Sequence, residues 1–306
     1  MRTSIGRGLI GVVATALAAC VSLGATGTAT AQAPDCAGRG VPDSKISIQL
    51  WTFAEYVGFG TDPATITRLE NVLSSLRDMG YRNVEPFTLS GLSAEEYRAL
   101  LDRYGLKASG RHVNVGAPGS PVDFQQILAE NRTLGIKYFG SGATPNYATE
   151  AEWIAYAEYL NELGEQARRQ GQTLMVHNHD WEFERVFGAR TAFDILVQHT
   201  DRKNVVFQVD LYWATNGGGL TNPVEVLERY GNRIQLFHVK DMAAGPFPGR
   251  IEIVGEGIID FPEIFAASKG PVRYYVVEHD PRFGDPTFDP FEAARKGFAY
   301  LDCVTF

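Results

Sequence analysis

The chain has 306 residues, 44% of them hydrophobic and 21% charged, and a formal net charge of −8 with a pI near 5.3. A chain of this length and composition can bury a sizeable core, which excludes a disordered tail and a membrane bundle. The acidic balance argues against a nucleic-acid-binding surface, because such surfaces usually carry a basic face.

Residues 1–33 have the layout of a secretory signal peptide. Arg2 and Arg7 precede an apolar stretch, and small residues then lead to a cleavage site near residues 31–33. The apolar stretch is too short for a membrane span. Alternatively, "LAAC" is a lipobox in which Cys20 is lipidated and anchors the protein. Both interpretations predict that the protein is exported, to the periplasm or to the medium. Residues 34–45 are then a lead-in, and residues 46–306 form the folded domain.

Eight β-rich segments alternate with helical patterns along the rest of the chain. The strands are predicted at 46–51, 82–87, 107–113, 136–141, 173–179, 204–210, 233–241 and 272–280. The first helix is predicted to begin near Pro63 and to end at Gly80. This alternation predicts an α/β fold, a single-domain (β/α)8 TIM barrel. A doubly wound open sheet is the alternative, but "QLWTFAEYVG" lacks the glycine-rich phosphate loop expected after its first strand.

Ionisable side chains cluster where the predicted strands end, which is where such barrels carry their active sites. Alternate residues of a strand point to the same side, so His177 and His179 should both face the pocket. Two imidazoles and two carboxylates from strands five to eight suit one divalent metal ion. These predicted ligands are His177, Asp210, His238 and Glu278. The predicted ion is Mn²⁺, and Zn²⁺, Co²⁺ and Fe²⁺ are the alternatives.

Other residues near the strand ends are predicted to contact the substrate. Glu85 and His112 come from strands two and three, across the rim from the metal ligands. Trp51, Phe53 and Trp213 offer flat apolar faces to a sugar ring, with packing at the rim as the alternative.

Four motifs, in this order, resemble the xylose-isomerase-like sugar isomerase/epimerase superfamily. They are "VDLYW" (209–213), "HVKD" (238–241), "VGEGIIDF" (254–261) and "VVEHD" (276–280). The resemblance runs from "ISIQLW" to the last helix, so residues 46–306 are expected to form a xylose-isomerase-like barrel. It implies one divalent cation on the four ligands named above, with His179 contacting the substrate or moving protons and Lys240 facing the substrate.

The sequence departs from that superfamily at two positions. Its epimerases usually have glutamate where this chain has His177, and they use it with the strand-eight glutamate as a pair of opposed bases. A histidine often found three residues after the strand-six aspartate is Trp213 here. The stretch "HNHDWEF" (177–183) therefore resembles a distinct exported subgroup, for which two-carboxylate epimerisation is not implied.

The predicted function is that of an exported metal-dependent isomerase or epimerase acting on a sugar, keto sugar or glycoside. The metal would act as a Lewis acid, with Glu278 or His179 as the base beside the carbonyl and Lys240 as a further catalytic residue. Loss of a β-oxygen would instead make the protein a lyase acting on 3-keto-glycosides. A metal-dependent phosphodiesterase or endonuclease and a non-catalytic sugar-binding protein are further alternatives. The expected binding partner is a small sugar or glycoside, and no nucleic acid is expected to bind. The sequence is compatible with a monomer or a homo-oligomer.

Two cysteines lie near opposite ends of the mature chain. Export would bring Cys36 and Cys303 into a compartment where disulfides persist. A closed fold brings its ends together, which predicts that the two cysteines pair. Two unrelated buried thiols are the alternative.

Overall fold

The structure, a computed structural model, describes residues 36, 40–217, 222–246 and 249–306. The predicted signal peptide at 1–33 and the lipobox cysteine Cys20 lie outside the described residues. The described residues belong to one compact unit. Within the described part of the chain, no helix combines the length and the apolar character that crossing a membrane requires.

Eight parallel strands form the barrel wall. They are β1 (Ile46–Ile48), β2 (Asn83–Val84), β3 in two parts (Lys107–Ala108 and Gly110–His112), β4 (Tyr138–Gly140), β5 (Thr173–His177), β6 (Val205–Asp210), β7 (Ile234–Val239) and β8 (Tyr274–Val277). The main sheet runs in the order β1-β8-β7-β6-β5-β4-β3, and β2 pairs with the first part of β3. A bridge between Gln49 and Glu85 joins the ends of β1 and β2. The predicted (β/α)8 barrel is confirmed, with β1 beside β8.

Eight helices follow the strands around the outside. They are α1 (Pro63–Met79), α2 (Ala94–Arg103), α3 (Phe124–Leu134), α4 (Glu150–Arg169), α5 (Ala192–His199), α6 (Pro223–Tyr230), α7 (Phe261–Ala266) and α8 (Pro290–Cys303). The Asp62 side chain caps the start of α1 by accepting the N–H groups of Ala64 and Thr65. Gly80 ends this helix in the left-handed conformation, with φ of 109°, as its sequence position predicts.

Short elements in the loops after the strands build the rim. The helical ones are Leu50–Phe53, Ala54–Val57, Trp181–Glu184 and Leu211–Asn216. Two small hairpins, Val186–Phe187 with Arg190–Thr191 and Asp241–Met242 with Ile251–Glu252, accompany them. The strands are shorter than predicted because the chain turns into these elements. β1, for example, ends at Ile48 because a helical turn begins at Leu50.

A small apolar cluster fills the barrel below the rim. Met175, Val206 and Leu236 of β5, β6 and β7 pack there with Tyr138 and Tyr274. Alternate residues of a strand point to the same side, so residues two or four positions later on these strands also point into the barrel, at the level of the rim. The larger core lies between the strands and the helices. Phe53 belongs to that larger core, fully buried against Phe291, so the sequence-based suggestion that it faces a sugar is wrong.

The two ends of the domain meet beside the closing seam. Cys36 and Cys303 are joined by a disulfide, with Cα atoms 4.9 Å apart, a separation typical of such bridges. The Val41 amide also donates to the Leu301 carbonyl oxygen at 2.8 Å. The lead-in before β1 is therefore held against the last helix by covalent and hydrogen-bonded contacts.

Candidate active site

The carboxyl ends of β5, β6, β7 and β8 bring the four predicted metal ligands into two groups that share His238. Ligand atoms of Asp210, His238 and Glu278 all lie within 4.8 Å of one another. A second group, sharing His238, brings in His177 and also His112 within the same distance. All five side chains are buried. Parallel pairing of neighbouring strands places residues from distant parts of the sequence at one level of the barrel.

Lys240 lies inside this cluster, where it is almost fully buried. Its ammonium group forms ion pairs with Asp210 Oδ2 at 3.1 Å and Glu278 Oε2 at 2.9 Å, and donates a hydrogen bond to Asp280 Oδ1 at 3.0 Å. Burial disfavours a charged lysine, but the three carboxylates outweigh that effect and raise the pKa of Lys240 well above its usual value. Lys240 is therefore a fixed positive charge at the floor of the site.

Glu278 is held ionised by its neighbours. Besides Lys240, His238 Nδ1 donates to Glu278 Oε2 at 2.7 Å. Burial alone would raise the pKa of Glu278, but Lys240 and His238 hold it well below its ordinary value. For His238 burial lowers the pKa, and the carboxylates of Glu278 and Glu85 more than reverse this to about 10. One oxygen of Glu278 thus already serves two strong donors.

His177, which ends β5, and His179, which follows it, have a different environment. Burial, with help from His238, lowers the pKa of His177 well below its usual value. Burial and Lys240 lower the pKa of His179 to about 3. Both imidazoles are therefore neutral at pH 7, and Nδ1 of each is buried without a hydrogen-bond partner. Such unpaired buried nitrogens are expected where a ligand binds.

His179 is held by aromatic rings and by an acid that sequence analysis missed. Its ring stacks on Trp181 with centroids 4.5 Å apart and lies 5.2 Å from the Trp213 ring. Its backbone N–H donates to Glu182 Oε2 at 2.8 Å, and Thr144 donates to the other oxygen of Glu182. Burial raises the pKa of Glu182 to about 7. No periodic pattern marks this acid, because it lies in a four-residue helix after the strand.

Glu85 differs from its sequence-based prediction. We expected it to contact the substrate, but it is fully buried beneath the imidazoles. Its carboxylate accepts from Gln208 Nε2 at 2.8 Å and lies 2.9 Å from His112 Nε2. Burial opposes its ionisation, and His112 and His238 still lower its pKa to about 2. The position suits orientation of His112 and His238, which a carboxylate beneath metal-binding imidazoles commonly performs.

Two more polar residues of the site were missed, although period-two spacing could have found them. Gln208 lies two residues before Asp210 on the same side of β6, and its Oε1 accepts from His112 Nε2 at 2.8 Å. Asp280 lies two residues after Glu278 and pairs with Lys240. Both continue the inward-facing row of their strand.

An open cavity of about 470 Å³ lies above the cluster. His112, His177, His179, Lys240 and Glu278 line its floor, together with Asp280. Trp51 and Phe87 form part of its wall. Trp213 does not line this cavity but flanks it, with the Lys240 ammonium 5.4 Å from the Trp213 ring centroid. The volume falls within the range of small-molecule sites, about 300–1,000 Å³.

The donor set fits a divalent metal ion. Neutral imidazole and carboxylate are the ligands that Mn²⁺, Zn²⁺, Co²⁺ and Fe²⁺ accept in proteins. His177 is already neutral, whereas His238, whose pKa the neighbouring carboxylates raise, would bind an ion only after losing a proton. The buried, unpaired Nδ1 of His177 supports that fit, because a nitrogen in this position lacks any other partner. The ligand atoms of Asp210, His238 and Glu278 are close enough to share one ion.

Comparison with known proteins agrees with this architecture. A family model described as xylose isomerase-like TIM barrel matches residues 73–300. Inosose dehydratase of Clostridium beijerinckii is 29% identical over 176 residues, covering 51% of this chain and 55% of that protein. The chain thus spans about half the length of the curated relatives it matches.

Solved structures show the same fold. A sugar phosphate isomerase/epimerase from Parabacteroides distasonis superposes with a TM-score of 0.69 at 24% identity, covering 86% of this chain and 96% of that one. The IolI protein, solved with a zinc atom, gives a TM-score of 0.63 at 19% identity, covering 85% and 98%. At these identities the likeness concerns the fold.

Proposed function

Because the chain belongs to the xylose isomerase-like TIM barrel family, we propose that it is a metal-dependent lyase acting on a keto sugar or keto polyol. In this proposal the enzyme removes a proton next to the carbonyl group and expels the oxygen substituent on the following carbon. The relatives matched in sequence are named inosose dehydratase, and a dehydratase performs such an elimination. The structural neighbours named isomerase or epimerase share the fold.

His177, Asp210, His238 and Glu278 would hold the metal ion, with Mn²⁺ first and Zn²⁺, Co²⁺ or Fe²⁺ as alternatives. A bound ion would supply Lewis acidity at the substrate carbonyl. Lys240 lines the same cavity as a fixed positive charge, so its ammonium group can donate to an oxygen that becomes negative during the reaction. Trp51 would contact the sugar ring from the cavity wall. Trp213, outside the cavity lining, would support Lys240 and His179 from behind.

The observation that carries the proposal is the contrast between His179 and Glu278. Glu278 Oε2 is engaged by two cationic neighbours, His238 and Lys240. His179 also lines the cavity, and its imidazole, stacked on Trp181, is neutral. A neutral imidazole can accept a proton from a substrate in the cavity, whereas Glu278 is already paired with two cations. We therefore assign the base to His179 and leave Glu278 as a ligand.

In the elimination, His179 alone can both remove the proton and return it. The C–H bond next to the carbonyl breaks and its proton passes to His179. The electron pair left on carbon forms the new C=C bond as the adjacent C–O bond breaks. The lowered pKa of His179 makes its protonated form a strong acid, so it gives the proton to the departing oxygen. The products are an unsaturated ketone and water or an alcohol.

Isomerisation or epimerisation is the second candidate. It begins with the same proton removal, but the proton returns to carbon. Return to the opposite face requires a donor across the substrate from His179, and Lys240, directly after β7, is the one group in the described cavity held strongly cationic. Elimination needs no such second proton donor, and for this reason we propose elimination ahead of epimerisation.

Export is part of the proposal. The signal-like sequence of residues 1–33 supports it, as does the paired state of Cys36 and Cys303, because disulfides persist in oxidising compartments. Amino-terminal sequencing of the protein from culture fractions tests this: a start near residue 32–34 agrees with cleavage, a lipidated Cys20 indicates the anchored form, and an intact Met1 contradicts both.

Proton removal is tested by incubating the purified protein with Mn²⁺ in D2O, with inosose and with methyl 3-keto-β-D-glucopyranoside. A lyase gives an ultraviolet-absorbing unsaturated ketone and releases water or methanol. An epimerase gives deuterated substrate with an inverted centre and no unsaturated product. If neither substrate exchanges or eliminates with any of the four metals, the proposal fails and a non-catalytic sugar-binding protein becomes the better hypothesis.

A further inference from the structure

Four aromatic side chains form a cluster at the mouth of the cavity, here called the aromatic rim: Trp51, Phe59, Phe87 and Phe283. The Trp51 ring centroid lies 5.1 Å from Phe87, 5.9 Å from Phe59 and 6.2 Å from Phe283. Phe59 and Phe283 stack with centroids 6.4 Å apart at 28°. These two are exposed by 64% and 57%, although a phenyl ring gains free energy from leaving water.

Closure of the barrel explains how the rim is assembled. Phe59 follows the short helix Ala54–Val57 after β1, and Phe283 lies in the loop after β8, the strand that pairs with β1. Glu55 fixes the two loops together, because its Oε1 accepts the Gly284 N–H at 2.7 Å. The exposed rings are therefore held in place before any ligand arrives.

The rim is continuous with the candidate active site. Trp51 and Phe87 belong to the rim and also line the cavity whose floor carries His179 and Lys240. The polar floor can satisfy the hydroxyl and carbonyl groups of one sugar. The exposed faces of Phe59 and Phe283 continue outward from the cavity wall, where a group attached to that sugar would lie.

We propose that the aromatic rim binds the aglycone of the substrate, a flat apolar ring joined to the reacting sugar. The substrate class is then an aryl glycoside rather than a free monosaccharide. This inference rests on the proposed function, since it assumes that the reacting sugar occupies the polar floor. The rings offer stacking faces but no charge, which matches an apolar ring and not an anionic group such as phosphate.

The test compares three sugars that lack a carbonyl group and so are not turned over: phenyl β-D-glucopyranoside, methyl β-D-glucopyranoside and cellobiose. Dissociation constants are measured by calorimetry with the Mn²⁺-loaded wild-type protein and with Phe59→Ala, Phe283→Ala and the double variant. Phe306→Ala is the matched control, because Phe306 is equally exposed but packs against Phe265, outside the rim.

We expect phenyl glucoside to bind about three- to tenfold more tightly than methyl glucoside, the size of an aromatic pair contribution. The double variant should lose this preference while its affinity for methyl glucoside stays unchanged, and Phe306→Ala should retain it. Cellobiose distinguishes a carbohydrate ring from an aryl ring: a preference for cellobiose over phenyl glucoside contradicts the aryl assignment.

Equal affinity for phenyl and methyl glucoside, or no binding of either, overturns the proposal. So does a dimer, seen by sedimentation, that the double variant dissociates, because the rim is then an interface between two copies. Deuterium exchange with free keto sugar separates this result from the proposed function. Exchange without a phenyl preference contradicts only the rim assignment, and a phenyl preference without exchange contradicts only the reaction.

Discussion

The two sides of the barrel mouth are built from opposite chemistry. On the side of β5 to β8, buried imidazoles, carboxylates and one lysine contact each other at hydrogen-bonding distance. On the side of β1 and β2, Trp51, Phe59 and Phe87 form an apolar surface that Phe283, from the loop after β8, completes. The only ionisable group at the end of β2, Glu85, is withdrawn beneath the cavity floor.

This difference assigns a separate task to each side: the polar side would carry out the reaction, and the aromatic side would recognise the substrate. Charged groups act strongly only where burial reduces screening by water, and the polar side is almost fully buried. Apolar stacking needs accessible faces, and the aromatic side is exposed. Changes on the polar side should therefore affect metal content and turnover, and changes on the aromatic side should affect substrate preference.

The largest effect is expected from the predicted ligands. His177→Ala and Asp210→Ala should each lose metal and activity together. The fall in metal affinity should exceed the roughly 10- to 100-fold loss that removal of an outer-shell partner causes. Elemental analysis and a chelator competition measure it, with Trp51→Ala as the control from the aromatic side. Metal binding by His177→Ala at wild-type strength would show that His177 is a buried strand-end histidine and not a ligand.

His179→Ala should separate turnover from metal binding. We expect the metal content to remain and the rate of proton exchange to fall by about 10²- to 10⁴-fold, the range for loss of a general base. His199→Ala, at the end of α5, is the control for histidine removal. If His179→Ala keeps its exchange rate and Glu278→Gln loses it without losing metal, the assignment of the base must pass to Glu278.

Much of the polar side could be predicted from the sequence, because each candidate ligand ends or follows an apolar strand at period-two spacing. His177, Asp210, His238 and Glu278 all satisfy this rule, and the barrel topology brings them into two groups that share His238. The burial of Glu85 could not be predicted, since it depends on three partners, Gln208, His112 and His238, from other strands. Glu182 and Phe283 lie in loop elements that carry no periodic signal.

The disulfide tests the seam where the two ends of the domain meet, and it touches neither side of the barrel mouth. Cys36→Ser with Cys303→Ser removes a crosslink between residues 267 positions apart. We expect the free energy of unfolding to fall by about 2 to 5 kcal/mol, mainly because the unfolded chain regains freedom. Urea denaturation measures this, and the metal content of the folded variant should stay at the wild-type level. If the wild type and the double variant are equally stable, and both thiols of the wild type are free, the bridge does not form.

The smallest effect concerns Glu182, which holds the loop after β5. Burial raises its pKa to about 7, so the folded protein binds this proton more tightly than the unfolded chain does. The associated stability is complete below the ordinary pKa near 4.5 and is lost as the pH rises through 7, by roughly 3 kcal/mol. Glu182→Gln keeps an oxygen that can accept the His179 N–H but cannot ionise. Urea denaturation from pH 4.5 to pH 8 should therefore show the wild type losing stability relative to Glu182→Gln, while the exposed Glu184→Gln follows the wild type. Parallel curves for the wild type and Glu182→Gln would mean that Glu182 ionises without cost in the folded protein, and that the His179 loop does not depend on its proton.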